Sequence, residues 1–219
     1  MKKTVLKSVA VSLMAVSLFT ACHKDEQTDK TLTLQPGADG KDAALLSCVA
    51  CGYSANNYGS YAELDAMAWT NGGNDSNVRG LIYFDLTAIS PTATITSAKL
   101  SLYAYNSPAN GAHSKTSGTN ASVLRKVTSA WDESTVTWDT QPSTSELNQV
   151  TLAESTSDTE NYIDIDVTLL VKDMVKTPAE NFGLMLKLQT ESYYRSLIFA
   201  SSDNADASKH PKLVVNYKQ

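Results

Sequence analysis

Lys99-Leu100-Ser101-Leu102-Tyr103-Ala104-Tyr105 sets apolar against polar or aromatic side chains, one residue after the next. Successive strand residues point to opposite faces. Leu100, Leu102 and Ala104 therefore share one face, and Lys99, Ser101, Tyr103 and Tyr105 the other. Outward from this stretch the same period of two recurs. Leu81-Ile82-Tyr83-Phe84-Asp85-Leu86 aligns Ile82, Phe84 and Leu86. Ile163, Ile165 and Val167 alternate with Asp164, Asp166 and Thr168, and Leu184, Leu186 and Leu188 with Met185, Lys187 and Gln189. Leu213, Val215 and Tyr217 close the chain after Pro211. Turn clusters separate these runs at intervals of about eight to fifteen residues, the spacing of a sandwich or barrel. Only residues 168–175 offer a helical turn or two, and no fixed-period repeat is visible. The expected fold is all-β: one antiparallel β-sandwich, jelly-roll-like, with Ile82, Phe84, Leu100, Leu102, Val136 and Trp138 in its core.

Composition agrees. Ser and Thr make up about a fifth of the 219 residues, and Val, Ile and ten Tyr join them, which favours strands and turns over long helices. The 18 Lys and Arg face 23 Asp and Glu; without Lys2, Lys3 and Lys7 of the first 21 residues, 15 against 23 leaves a net charge of −8. That balance argues against nucleic acid, whose phosphates require a basic footprint. Three Cys and three His are too few for a disulfide scaffold or a rich metal site.

The amino terminus reads as a secretory leader over residues 1–21. A basic start precedes the apolar stretch from Val9 to Phe19, which is too short for a permanent membrane span. Leu18-Phe19-Thr20-Ala21-Cys22 resembles the lipobox of bacterial lipoproteins, with Phe19 where an aliphatic residue is usual. Cys22 is thus the expected acylation site. His23-Lys24-Asp25-Glu26 resembles the Lys-plus-acidic signal that sends lipoproteins of Bacteroidetes-type bacteria to the cell surface. These segments predict an outer-membrane, lipid-anchored, surface-exposed protein. A flexible tether is expected over residues 22–35 and the folded domain over 36–218.

A further set of motifs follows in order. Arg79-Gly80-Leu81-Ile82-Tyr83-Phe84-Asp85-Leu86 precedes the run from Ala93 to Tyr103, then Val127-Thr128-Ser129-Ala130-Trp131-Asp132-Glu133, Val136-Thr137-Trp138 and Asp166-Val167-Thr168. Asn181-Phe182-Gly183-Leu184 and Pro211-Lys212-Leu213-Val214-Val215 complete the order, and Asn57-Tyr58-Gly59 supplies an early Asn-x-Gly element. Together they resemble the DNRLRE domain, also described as the family 96 carbohydrate-binding module. The resemblance covers about residues 36–218 and departs from the family pattern at Cys48-Val49-Ala50-Cys51 and at residues 71–77. It implies a jelly-roll-like sandwich and, as for characterised members, a polysaccharide ligand such as alginate; neighbouring surface glycan-uptake proteins are a separate expectation for partners. The reading from another class is a structural or adhesion module that packs against another surface protein without sugar. A hydrolase or lyase is the third.

No nucleophile motif surrounds His113 or His210, and plentiful carboxylates single out no catalytic pair. The expectation is a non-catalytic protein without a cofactor. Asp39, Asp42 and Asp203-Asn204-Ala205-Asp206 offer calcium-type oxygens, but without EF-hand spacing they read as solvated turns. Cys48 and Cys51 can form a disulfide only if Val49-Ala50 makes a turn; reduced structural thiols, zinc and redox chemistry are the alternatives. Trp138 is expected in the core, and Trp131 at a loop edge with Glu133 bonding backbone amides. By alternation Arg79, Tyr83, Lys99, Tyr103, Tyr105 and Lys187 point outward and are the candidate carbohydrate-binding residues. Arg79 is the natural bidentate partner of a uronate carboxylate. Tyr58, Tyr61, Trp69, Tyr193 and Tyr194 form a second surface, better suited to a neutral glycan.

Overall fold

The computed structural model describes residues 27–219. Strands follow in order: β1 (Asp29–Leu34), β2 (Lys41–Ser47), β3 (Glu63–Asn71), β4 (Asn74–Tyr83), β5 (Thr94–Leu102) and β6 (Ser114–Lys115). Then come β7 (Ser122–Val127), β8 (Thr144–Leu152), β9 (Tyr162–Asp166), α1 (Thr168–Lys176), β10 (Leu184–Leu188), β11 (Arg195–Ala200) and β12 (Lys212–Lys218). They form two antiparallel sheets. The smaller runs β1-β12-β5-β9; the larger runs β6-β11-β3-β4-β10-β7-β8, with β2 paired to β4. Among the described residues, no helix is long and apolar enough to cross a membrane.

The main core lies between the sheets. Leu100, Leu102, Leu213, Val215 and Tyr217 of the smaller sheet meet Leu64, Ile82, Leu184, Leu186, Leu188 and Phe199 of the larger. β4, β5, β10 and β12 bury the faces that their alternation marks. The α1 stripe of Leu170, Val171, Met174 and Val175 enters the same core.

The larger sheet is covered on its second face as well. Leu81, Met185, Ala43 and Leu45 are buried there with Val127, Trp131 and Val136, under the loop of residues 128–143. Ala44, Met67, Val78 and Ile198 pack beneath Tyr58, Tyr61 and Trp69. Side chains that strict alternation sends outward, such as Leu81 and Met185, are therefore buried. Apolar residues on both faces are the pattern of a doubly covered sheet.

Several expectations need correction. Residues 29–34, assigned to the flexible tether, form β1, which pairs along β12 from Asp29↔Lys218 to Leu34↔Leu213. The domain therefore begins before residue 36. Cys22 and the other proposed export residues lie outside the described residues. In β9, Asp164 adopts a φ of 57° and the pairing with β5 slips between Leu100 and Leu102. That slip turns Tyr162 toward the core and leaves Ile163 52% exposed, against the predicted face. Trp138 lies in a loop, not a strand, and is only half-buried; the more deeply buried indole is Trp131, at 9% exposure. The disulfide between Cys48 and Cys51 is not a correction: the turn it requires is present as a short 3-10 turn, Val49–Cys51, with the Cα atoms 5.1 Å apart. Asn71-Gly72-Gly73-Asn74 is a tight hairpin turn in which both glycines have positive φ, 57° and 85°.

Candidate functional site

The six strand residues singled out from the sequence do not form one surface. Arg79, Tyr83 and Lys187 belong to β4 and β10 of the larger sheet, whereas Lys99 belongs to β5 of the smaller. Tyr103 and Tyr105 follow β5 where the chain crosses to β11: the Tyr103 carbonyl accepts from Ala200 N–H at 3.0 Å and Tyr105 N–H donates to Ile198 at 3.1 Å. Lys99 pairs with Asp166 at 2.9 Å. That carboxyl is held far below its ordinary range, first by the Thr168 hydroxyl and then by Lys99. The shared sheet face is thereby corrected.

Arg79 has its carboxylate already, from within the chain. Its Nε and Nη2 donate to the two oxygens of Glu191 at 2.7 and 2.8 Å, and Nη1 to Gln141 Oε1 at 2.6 Å. The guanidinium carbon lies 4.4 Å from the centroid of the Trp138 ring. Lys187 Nζ stands 3.7 Å from the same Glu191. Burial alone would push the Glu191 carboxyl up, but Arg79 and Lys187 outweigh it and hold it below its usual value. Lys187 is lowered by burial and by the neighbouring Arg79 charge. This cluster ties β4, β10 and two loops together. Tyr83 borders a separate cleft of about 620 Å³ between the β1–β2 loop and Phe84-Asp85, with the Lys41 ammonium 5.6 Å from its ring centroid.

Trp69, Tyr193 and Tyr194 make the more open arrangement. Extending the β3–β11 register past Ala68↔Arg195 sets Tyr194 beside Trp69, and the rings meet edge to face at 4.9 Å. Tyr193 lies 5.9 Å from Tyr194 and reaches across to the Asp75 carboxylate, which raises its hydroxyl pKa. Both tyrosines remain exposed, at 40% and 37%. Next to this ledge is a hollow of about 390 Å³ whose lining includes Met67, Trp69, Thr70, Asn71, Ser76 and Asn110. An aromatic ledge beside amides and hydroxyls, with no cation in the lining, matches a neutral pyranose: ring faces for its CH groups, dipoles for its hydroxyls. Tyr58 and Tyr61 pair with each other at 6.1 Å and support the sheet from further along.

The ordered motif residues have structural partners. Asn57 Nδ2 donates to the carbonyls of Glu133 and Val136 at 2.7 and 2.8 Å, and its Oδ1 accepts from Gly59 N–H. Gly59 passes so close to the Glu133 backbone that any Cβ would collide with it. Asn181 repeats the device, bonding Phe84 O at 3.0 Å and accepting from Gly183 N–H. Trp131 Nε1 donates to Phe182 O at 2.8 Å, and Glu133 Oε1 accepts the Asp42 N–H, the amide role expected of it. His113 accepts the Ile198 N–H at Nδ1 and faces the Glu160 carbonyl at Nε2. Sequence reasoning missed Glu191 and Gln141, which no local pattern connects with Arg79.

The fold is an antiparallel β-sandwich that displays an aromatic ledge beside a polar hollow. The model of carbohydrate-binding module family 96 matches residues 47–217, and the chain belongs to that family. Comparison with curated proteins gave no match.

Proposed function

We propose that this protein is a non-catalytic, membrane-anchored module that binds polysaccharide through the Trp69–Tyr193–Tyr194 ledge, with a neutral glycan as ligand. The observation that carries the reading is the pair of exposed tyrosines beside Trp69, which itself lines a polar hollow. An acidic glycan such as alginate needs accessible cations, and Arg79 and Lys99 are engaged by Glu191 and Asp166. Acylation at Cys22 would hold many copies on one outer membrane, turning weak single sites into avid capture near glycan-uptake partners. Affinity electrophoresis through gels containing neutral or uronate polysaccharides tests the reading. Retardation by a neutral polymer, lost in Tyr193→Ala and Tyr194→Ala, supports it. Retardation only by uronate polymers, abolished by salt, would return the site to the cations.

A further inference from the structure

Three carboxylates from distant parts of the chain converge: Asp42 of β2, Glu133 of the loop after β7 and Asp203 of the loop after β11. One oxygen of each lies within 4.8 Å of the other two. Like charges at this separation repel. Among the described residues, no basic side chain comes within ion-pair distance of any of the three. Lys41, the residue before Asp42 on β2, donates to the Trp131 carbonyl at 2.6 Å, and its charge attracts Glu133 from beyond ion-pair distance.

Asp42 is the decisive member. It is 1% exposed, its Oδ2 accepts the Ser202 N–H at 2.7 Å, and its Oδ1 has no hydrogen-bond partner. A buried carboxylate oxygen without a partner is among the costliest groups a fold can retain, unless something binds it. Ser202 Oγ, packed against Gly40, also makes no bond of good geometry, although its hydroxyl stands close enough to Asp42 to offset part of the upward push of burial on that carboxyl. Glu133 is fixed in place by Asn57, which bonds its carbonyl, and by the Asp42 N–H at Oε1. A cleft lined by Asn57, Ser60, Ser134, Glu133 and Asp203 opens the group to solvent.

We propose that Asp42, Glu133 and Asp203 bind a calcium ion. The donors are oxygens only, which suits a hard cation and offers no thiolate or imidazole to zinc. Calcium accepts carboxylate oxygens at about 2.3–2.6 Å in flexible geometry, whereas magnesium demands near-ideal octahedral geometry at about 2.0–2.1 Å and keeps most of its waters. The ion would join β2, the Trp131 loop and the exit of β11, three segments far apart in sequence. Asp42 precedes the family match, which begins at residue 47.

Thermal melting and calorimetric titration of the EDTA-treated chain test the site. Calcium chloride at millimolar concentration is expected to raise Tm and bind at one ion per chain. Asp203→Asn, at a half-exposed position, and Glu133→Gln should each weaken that binding at least tenfold without lowering the metal-free Tm of Asp203→Asn. Magnesium chloride should give a smaller shift. No calcium-dependent shift or heat in the wild-type chain, or undiminished binding by Asp203→Asn, overturns the site. An equal response to magnesium overturns the assignment to calcium.

Discussion

Arg79 shows how a residue's chemistry can be read correctly and its partner misplaced. Its planar fork does find a carboxylate in bidentate geometry, but Glu191 lies 112 positions further along the chain. With side-chain exposures of 18% and 20%, the pair is neither a solvated surface bridge nor a fully buried one. Replacing Arg79 by Ala leaves Glu191 partly buried beside Lys187 alone and uncovers Trp138. We expect a loss of about 2 kcal/mol in urea unfolding, between the surface and buried limits. Glycan affinity of the folded variant should stay within about twofold, a change well below 1.4 kcal/mol. Arg79→Lys should recover little, since a point charge cannot make the forked contact or stack as well on the indole.

Among the elements, β5 and β9 form an instructive pair. Leu100 and Leu102 follow strict alternation and are fully buried, so Leu100→Ala should cost about 2–5 kcal/mol. Ile163 looks equally apolar in the sequence, yet the slip at Asp164 leaves it exposed, and Ile163→Ser should change unfolding free energy by less than about 0.5 kcal/mol. Equal losses at the two positions in urea melts would contradict the register. The contrast marks what the sequence could show. Period-two runs reveal the faces of β4, β5, β10 and β12, because burial on a strand follows from covalent geometry. A single left-handed residue such as Asp164 inverts a face without changing the pattern, and Asp tolerates that conformation well enough to leave no signal. β1 was hidden among Thr-rich tether residues because an edge strand need bury little. The aromatic ledge was half legible: Trp69, Tyr193 and Tyr194 stood out by type, but only β3–β11 pairing brings them together. The Asp42–Glu133–Asp203 group depends wholly on tertiary proximity.

For the molecule as a whole, two observables follow from what it buries and what it displays. Asp65 is fully buried on β3, and burial first, then the adjacent Glu63 charge, drives its carboxyl well above the ordinary range. Asn110 is the bond donor to its Oδ2 at 3.2 Å. The folded state therefore keeps a proton that the unfolded chain releases above about pH 4. Stability from this group is complete below that pH and falls as pH rises toward the raised folded pKa, by at most about 1.4 kcal/mol per unit. Asp65→Asn should flatten that decline in a pH series of urea melts, and an unchanged slope would contradict it. The display side is the Trp69–Tyr193–Tyr194 ledge, and its direct test is calorimetric titration of a neutral oligosaccharide into the wild-type chain and Tyr194→Ala. Tyr194 is exposed and carries little of the core, so its loss should leave Tm unchanged and weaken binding at least tenfold, about 1.4 kcal/mol. Unaltered affinity in folded Tyr194→Ala, and again in Tyr193→Ala, would contradict the ledge as the glycan-binding surface.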